Sequence, residues 1–373
     1  SAMLQQGRNV ADILYLYGQN TNITWISREK LPEIPNGYEF DFVNATALLE
    51  AIQAENGKLK AKSGTTYEVL FLDESARLMT LPVLKKLKVL ADAGVKIIGK
   101  RPVKSPSLSD SDTEFQALAD QIWAKENVGP QVKIPVSADV QHSGTDHKIL
   151  FRHRSTNSEE IYWLNNRNVN PTTATVSFRT NGKKPMLWNP IDGSVREISY
   201  EIKDGRTLVP LKFESWDAFF IVFRESVSQN SYAIAAKSES VAVEINGTWK
   251  VDFGTRKSDF ATLNSWSEHS DPVIKYFSGT ALYSNSFNLL QIDSQAAYIL
   301  DLGEVKNLAE IIVNGQNMGI VWKTPFRIDI SGVDEVAAAG DEAAVDHFLE
   351  LPGDGKRRER RDAERDRGDQ QLQ

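Results

Sequence analysis

The sequence predicts a multidomain protein, in which an α/β domain with a parallel sheet is followed by two all-β parts. Up to about residue 135, predicted strands alternate with predicted helices. Beyond that point the pattern changes to strands that are joined by tight turns. These turns are signalled by dipeptides that tolerate positive φ angles, namely Asn181-Gly182, Asp192-Gly193, Asp204-Gly205 and Asn314-Gly315.

The first segment, residues 4–135, is predicted to be the α/β domain. Its short apolar strands are predicted at Ala11–Tyr17, Tyr67–Leu72 and Val95–Gly99. Its helices are expected to begin after the N-cap residues Asn44, Thr80 and Ser111. Because apolar strands that alternate with helices are buried, we expect a parallel sheet that is covered on both faces.

Two antiparallel β segments are predicted to follow. Residues 136–226 form a small β domain, with strands at Ile149–His153, Ile161–Asn165, Thr173–Arg179, Ser194–Ile202, Thr207–Phe213 and Ala218–Phe223. Residues 227–333 show a repeated strand pattern that is typical of a β-sandwich or jelly roll. Its predicted strands are Val241–Ile245, Trp249–Phe253, Thr280–Phe287, Ala297–Leu302, Ala309–Val313 and Gly319–Trp322.

The composition excludes several classes of protein. A net charge of −7 implies no basic surface, so nucleic acid is not an expected partner. No apolar run approaches the ~18 residues of a membrane span, and no membrane partner is expected. The chain contains no cysteine, which excludes disulfides, thiolate metal sites and a cysteine nucleophile. No glycine-rich phosphate loop follows the first strand, so no nucleotide cofactor is predicted.

The histidines offer one candidate metal site. His142 and His147 share a polar loop with Asp139 and Asp146. This segment is either a metal site or a solvated loop, and the absence of a recognisable ligand spacing favours the solvated loop. We therefore assign no metal ligand.

Phrases distributed from residue 4 to residue 333 follow an order that is typical of one enzyme family. They are Leu4-Gln5-Gln6-Gly7, Gly37-Tyr38-Glu39-Phe40-Asp41-Phe42-Val43-Asn44, Leu81-Pro82-Val83-Leu84, Phe151-Arg152-His153-Arg154, Leu187-Trp188-Asn189-Pro190, Tyr276-Phe277-Ser278-Gly279-Thr280-Ala281-Leu282-Tyr283 and Pro325-Phe326-Arg327. In this order the chain resembles the α-L-rhamnosidases of glycoside hydrolase family 106. Its third segment is also similar to the galactose-binding-like sandwich of family 2 glycosidases.

The resemblance implies a more specific fold for each segment. Residues 4–135 would form a flavodoxin-like sheet of the glutamine-amidotransferase-like kind, and residues 227–333 a galactose-binding-like jelly roll. Without cysteine, amidotransferase chemistry is excluded. In the family, the catalytic carboxylates lie on a preceding (β/α)₈ barrel of about 250 residues. Nothing before residue 4 supplies this barrel, and Ser1-Ala2-Met3 is typical of a scar from tag removal, so we expect a truncated protein.

Residues 334–373 form an atypical charged tail that departs from the family. Residues 353–373 hold seven Lys or Arg and six Asp or Glu, so the tail cannot bury enough apolar surface to fold alone. A one-base shift of the codons lets Lys356–Glu359 and Asp366–Gln371 spell family-like residues. Our hypothesis, which DNA sequencing tests, is that the tail is read out of frame. The last sandwich strand would then be lost, and a neighbouring strand would keep an unpaired edge.

Glycoside hydrolysis needs two carboxylates about 5–10 Å apart. The sequence offers three candidate pairs, which are Glu39 with Asp41, Asp73 with Glu74, and Glu159 with Glu160. The second pair points to opposite faces of a strand, and the third lies in a hairpin turn where solvation explains it. The first pair shares one face, and Asp41 is a candidate for a contact with the missing barrel. We predict no catalytic residue in this chain.

Sugar binding uses aromatic rings that have polar groups beside them. Trp266 and His269 lie in a polar stretch, which favours a ligand contact. Trp249 and Trp322 lie within predicted strands, where burial in a core is the default, although Trp322 is retained as a candidate. We therefore predict carbohydrate contacts at Trp266, His269, Trp322 and Asp41.

A short basic group, Arg152, His153 and Arg154, lies on one predicted strand. It has two interpretations that the sequence leaves open. It either binds a ligand or forms structural ion pairs with Glu159 or Glu160.

Together these observations predict the accessory, non-catalytic C-terminal region of a glycoside hydrolase that acts on plant-type or rhamnose-containing polysaccharide. Its expected partners are carbohydrate and the missing catalytic barrel of the same polypeptide. A carbohydrate-binding module with its own affinity and a self-contained glycosidase are the alternatives. No cofactor is expected here, and a calcium requirement of the parent enzyme stays open. The resemblance implies a parent enzyme that is bacterial and periplasmic or secreted.

Overall fold

The computed structural model describes residues 2–19, 34–143, 149–287, 289, 293, 295–333 and 343–345. This part of the chain is rich in β-strands and contains few helices, none of them long and apolar enough to span a membrane. The chain divides into Ser1–Ala235 and Ala236–Gln373, which we call unit 1 and unit 2. The predicted further division of unit 1 near residue 135 stays a prediction. His147 and Asp146 of the predicted polar loop, and most of the charged tail, lie outside the described residues.

The described strands of unit 1 are, in chain order, β1 (Arg8–Asn9), β2 (Ile13–Leu16), β3 (Phe40–Val43), β4 (Ile52–Glu55), β5 (Lys58–Ala61), β6 (Thr66–Tyr67), β7 (Val69–Leu72), β8 (Lys96–Ile98), β9 (Val140–His142), β10 (Ile149–Ser155), β11 (Glu160–Asn166), β12 (Thr172–Phe178), β13 (Lys183–Trp188), β14 (Val195–Glu197), β15 (Tyr200–Lys203), β16 (Arg206–Phe213), β17 (Ala218–Ser226) and β18 (Ser231–Tyr232). Its described α-helices are α1 (Ala45–Ala51), α2 (Leu81–Asp92) and α3 (Asp112–Trp123), and its described 3₁₀-helices are Met3–Gln5 and Glu74–Arg77.

A parallel sheet with the strand order β3-β2-β7-β8 forms the first layer of unit 1. The three helices cover one face, where Leu14 and Leu70 belong to the same core as Leu84 and Phe115. On the other face Ile13 and its neighbours pack against extended segments rather than a described helix. The prediction of a parallel sheet is confirmed, while its flavodoxin-like assignment stays a prediction. Strands β4, β5 and β6 form a separate small antiparallel sheet.

The helix starts follow from capping residues. The predicted caps Asn44 and Ser111 are confirmed, because their side chains accept hydrogen bonds from the backbone nitrogens of Ala47 and Glu114. Thr80 precedes α2 as predicted but makes no capping hydrogen bond through its side chain. These local signals place the helices that cover the parallel sheet.

Two antiparallel sheets make up the rest of unit 1. In the described residues their strand orders are β1-β10-β11-β17-β13-β14 and β18-β15-β16-β12-β9. Alternating apolar side chains of both sheets form one core, which includes Tyr162 and Phe223 from the first and Val176, Phe178 and Phe213 from the second. The predicted change from parallel to antiparallel strands is therefore confirmed.

The structure differs from the predicted strands at two places in these sheets. One strand is predicted at Ser194–Ile202, but β14 lies in the first sheet and β15 in the second. The buried Ile198 lies between them, at the point where the chain passes from the first antiparallel sheet to the second. Strand β13, which contains Pro185, is absent from the predicted strands. The pairing of β13 with β17 shifts register at this proline.

Unit 2 consists mainly of antiparallel strands. Those described are β19 (Trp249–Asp252), β20 (Lys257–Phe260), β21 (Leu282–Phe287), β22 (Ile299–Asp301), β23 (Ala309–Val313), β24 (Gln316–Val321), β25 (Arg327–Asp329) and β26 (Ala343–Val345), with the 3₁₀-helix Trp266–Glu268 and α4 (Pro272–Lys275). Their order is β20-β19-β21-β26-β23-β24, and β22 pairs with β25. The jelly-roll assignment stays a prediction.

One predicted strand of unit 2 is wrong, because Val241–Ile245 forms no strand and Val241 is exposed. Within the charged tail, β26 pairs with both β21 and β23. The hypothesis that the tail is read out of frame stays a prediction.

Candidate functional site: an ionic cluster in unit 1

Ionisable side chains meet where the parallel sheet of unit 1 adjoins its antiparallel sheets. We call Asp12, Asp139, His153, Glu160 and Arg179 the junction cluster. Asp12 immediately precedes β2 of the parallel sheet, whereas the other four residues lie on or next to antiparallel strands. The cluster therefore joins the parallel sheet to both antiparallel sheets of unit 1.

The hairpin of β10 and β11 brings His153 and Glu160 together. In its register His153 lies opposite Tyr162, and Ser155 lies opposite Glu160. Residues two apart on a strand share a face, so His153 and Glu160 meet across the diagonal of the hairpin. The alternation of β10 turns His153 inward, and its side chain is buried.

Asp139 is the most enclosed member of the cluster, with 1% of its surface exposed. Its Oδ2 atom lies 2.7 Å from Nδ1 of His153, and its Oδ1 atom accepts a hydrogen bond of 3.0 Å from the hydroxyl of Tyr162. The Nε atom of Arg179 lies 3.7 Å from Oδ1. Both carboxylate oxygens of Asp139 are thus engaged within the protein.

His153 lies between two carboxylates. Its Nε2 atom is 2.9 Å from Oε2 of Glu160, and its ring stacks on that of Tyr162 with centroids 3.9 Å apart. Burial disfavours the charged imidazole, but the hydrogen bonds with Asp139 and Glu160 outweigh it and raise the pKa of His153. Burial likewise opposes ionisation of Asp139, yet its contacts with His153 and Arg179 lower its pKa. The geometry therefore favours an imidazolium between two carboxylates.

Arg179 links the antiparallel part of the cluster to the parallel sheet. Its Nη2 atom donates to Oδ1 and Oδ2 of Asp12 at 2.9 and 3.0 Å. Burial raises the pKa of Asp12, and the contact with Arg179 opposes this rise. A second link is an ion pair between Glu39 and Arg152. These contacts hold the parallel sheet to each of the two antiparallel sheets through charged groups.

A cavity of about 430 Å³ opens beside the junction cluster. Eight of the nine residues that line it are polar or charged, namely Asp139, His153, Ser155, Glu160, Arg179, Thr180, Asn181 and Lys183, and the ninth is Val10. The described residues contain no group of three or more His, Asp or Glu side chains arranged to hold a metal ion. Chemically, the cavity wall can donate and accept hydrogen bonds, but its most buried carboxylate is already saturated.

The predicted carbohydrate residues are divided between the two units, with Asp41 in unit 1 and the other three in unit 2. In unit 2 Trp266 is only 4% exposed, and its ring packs against Phe253 and Phe277, with centroids 5.6 and 5.8 Å away. Its neighbours in the chain are polar, as the sequence shows, but the 3₁₀-helix that it begins turns the ring into the core. The neighbouring His269 accepts a hydrogen bond from the backbone of Asp271.

Trp322 shows the opposite error. It was expected in the core, yet 56% of its surface is exposed, whereas Trp249 is buried as expected. In unit 1 Asp41 accepts hydrogen bonds from Asn9 and from the hydroxyl of Tyr67, at 3.1 and 3.0 Å. The ligand roles of these residues stay predictions.

Each residue of the basic group on β10 has its own partner in the structure. His153 pairs with Glu160, as one of its two interpretations predicted, and Arg152 pairs with Glu39. Arg154 donates to the backbone oxygens of Gln6 and Gly7. The contribution of Asp139, Asp12 and Arg179 was missed, because these residues are far apart in the chain and follow no motif.

Comparison with known proteins gives two relatives with strong similarity. The structure of a rhamnosidase from Novosphingobium sp. PP1Y superposes with a TM-score of 0.80 and 30% identity, over 93% of this chain and 35% of that one. A putative β-glucuronidase of Formosa agariphila is 33% identical over 251 residues, which are 64% of this chain and 21% of that protein. The β-rich fold and these matches define a glycoside hydrolase-related protein. The chain spans about a third of the rhamnosidase and about a fifth of the glucuronidase.

The family follows from a third comparison. The model of glycoside hydrolase family 106, described as α-L-rhamnosidase, matches residues 1–202. Because this match covers more than half of the sequence, the chain belongs to that family.

Proposed function

We propose that this chain is the accessory, non-catalytic region of a longer α-L-rhamnosidase-like enzyme, in which it supports a catalytic (β/α)₈ barrel. The observation that carries the proposal is the state of the buried carboxylates in unit 1. A glycosidase needs one carboxylic acid and one carboxylate that both face the same sugar bond. In the junction cluster these groups instead hold cations and hydroxyls of the protein.

Each described buried carboxylate of unit 1 has a structural partner. Asp139 holds His153 and Tyr162, and Asp12 holds Arg179. Glu39 pairs with Arg152. We infer that carboxylates held in this way serve the fold, because a carboxylate that attacks or protonates a sugar must present an oxygen to it.

The extent of the relatives supports the same proposal. The matched region is 35% of the Novosphingobium rhamnosidase, so the larger part of that chain lies outside the match. A (β/α)₈ barrel takes about 250 residues, which such a remainder can accommodate. The substrate of the longer enzyme would be a rhamnoside, as the name of this relative states.

The support role is tested in the longer polypeptide with the variant Arg179→Met. We expect its kcat and KM on an aryl α-L-rhamnoside to stay within about twofold of wild type at 25 °C, while activity is lost several times faster on heating, because the link between the sheets is weakened. Lys60→Met, which breaks the more exposed pair with Glu55 in unit 1, is the control. A folded Arg179→Met protein with a kcat about a hundredfold lower would contradict the proposal.

A second candidate function is carbohydrate binding by unit 2, which the exposure of Trp322 favours. An exposed tryptophan ring can stack on the apolar face of a pyranose. Titration with rhamnose-containing oligosaccharides tests this function, and loss of binding in Trp322→Ala would support it. Binding that survives Trp322→Ala would count against this residue.

A further inference from the structure

Trp216 has a backbone conformation that is unusual for its residue type. It lies between β16 and β17 with a φ angle of 57°. Five non-glycine residues have positive φ angles in the described part of the chain, and the other four are Asn56, Asp204, Asn307 and Asn314. Asn and Asp tolerate this conformation, whereas a bulky aromatic residue there is an outlier. The turn at this position therefore does not require tryptophan for its own geometry.

Core packing does not explain Trp216 either. Its side chain is 52% exposed, and the adjacent loop carries Val169, which is 66% exposed. An aromatic ring in water forgoes the gain from burial. Trp216 therefore combines a strained backbone conformation with an exposed ring.

A dedicated hydrogen-bond network holds this turn. Asn166 is fully buried, and its Nδ2 atom donates to the backbone oxygens of Glu214 and Asn170 at 2.9 and 3.3 Å. Its Oδ1 atom accepts from the backbone nitrogen of Asn168, whose oxygen accepts from the nitrogen of Trp216 at 3.2 Å. One buried amide therefore fixes the two loops, residues 166–170 and 214–217, to each other.

Two further hydrogen bonds stabilise these two loops. The hydroxyl of Ser215 donates to the backbone oxygen of Val169 at 2.5 Å, and Asp217 accepts from the backbone nitrogen of Glu214 at 2.8 Å. A ring held on a rigid turn loses little conformational entropy when a ligand stacks on it. Strain that surrounding contacts maintain at an exposed side chain points to a role in binding.

The groups around Trp216 indicate the chemistry of the ligand. The loop that is bonded to it carries Asn170, whose polar side chain is exposed. An exposed aromatic face on a turn that is bonded to a loop with an exposed amide matches a sugar ring, which has an apolar C–H face and hydroxyl groups at its edge. A protein partner would instead call for a broader apolar patch.

We propose that Trp216 is the stacking platform of a carbohydrate subsite, which takes a pyranose residue of a saccharide chain. The inference rests on the proposed function, because the saccharide would belong to the substrate of the enzyme that this region supports. The ring contacts the sugar face, and groups of the 166–170 loop bond its hydroxyls. A single exposed platform of this kind binds in the millimolar range (Kd about 1 mM), since it buries few atoms.

The test is a titration of the whole chain, labelled with ¹⁵N at its eight tryptophans, with an α-L-rhamnosyl oligosaccharide. The variant Trp216→Asn assigns one indole signal and keeps the turn, because asparagine tolerates its φ angle. We expect that signal to shift with a Kd of about 1 mM, and the affinity to fall at least about tenfold in Trp216→Asn. Leu108→Ala is the control, because it removes another exposed apolar side chain of unit 1, and it should bind as wild type does.

Two results would overturn this inference. One is a Trp216 indole signal that does not shift even when the sugar concentration reaches about fifty times the expected Kd. The other is binding that is lost in Trp322→Ala and kept in Trp216→Asn. Neither result affects the support role, which is measured by thermal inactivation of the longer enzyme and needs no sugar binding by this chain.

Discussion

The Nδ1 atom of His153 lies 2.7 Å from the Oδ2 atom of Asp139, and the side chains are only 6% and 2% exposed. Such a contact stabilises the fold while the imidazole is charged. The folded state raises the pKa of His153, so it keeps a proton that the unfolded chain loses above about pH 6.5. Stabilisation is complete below that pH and declines as the pH rises through the raised pKa.

We therefore expect the urea concentration at the midpoint of unfolding to decrease as the pH is raised from 6 to 9. His153→Gln should be less stable than wild type by about 2–3 kcal/mol at pH 6, since hydrogen bonds to charged groups are lost. Its stability should change less over the same pH range. An equal slope in the two proteins would show that His153 does not carry this dependence.

The ion pair between Arg179 and Asp12 gives a second prediction. Arg179→Met leaves Asp12 buried without its cation, and we expect a loss of about 2–4 kcal/mol in the free energy of unfolding. Lys60→Met removes a pair with Glu55 whose side chains are 44% and 50% exposed, and should cost less than about 1 kcal/mol. Urea unfolding of both variants measures the difference. Equal losses would mean that the buried pair is no more important than a surface pair.

The tryptophans of unit 2 should respond in opposite ways to truncation. Trp266 is enclosed by Phe253 and Phe277, so Trp266→Ala should destabilise unit 2 by about 3–5 kcal/mol. Trp322→Ala should cost less than about 1 kcal/mol, because its ring is largely in solvent. Thermal unfolding distinguishes them. A stable Trp266→Ala protein would contradict the assignment of Trp266 to the core.

The strain at Trp216 can be measured with two variants that both remove the ring. Alanine keeps the unfavourable left-handed backbone, whereas asparagine tolerates it. We expect Trp216→Asn to be more stable than Trp216→Ala by about 1 kcal/mol. If alanine were the more stable replacement, the backbone at this turn would not be strained.

Sequence reasoning succeeded where the signal is local. The caps Asn44 and Ser111 act on nitrogens three residues away, and the Asn314-Gly315 turn has positive φ at both positions, as its dipeptide predicts. The pairing of His153 with Glu160 was foreseen as one alternative because it lies within a single hairpin.

The rest depends on contacts that leave no local pattern. Asp12 and Arg179 are 167 residues apart, so their ion pair is created only by the packing of two sheets. Trp266 was misplaced because its serine neighbours are polar, whereas the helical turn sends the ring inward and joins Ser265 to Ser267 at the surface. The strain at Trp216 follows from a hydrogen-bond network that spans two loops.

The central claim is that this family member performs no glycoside hydrolysis in this chain. The direct measurement is turnover of an aryl α-L-rhamnoside by the purified chain, in parallel with an aryl β-glucuronide. We predict no release of aryl alcohol above the uncatalysed rate, with either substrate, because the buried carboxylates of unit 1 are bound to cations. Saturable release in proportion to protein concentration, retained through purification, would contradict the account.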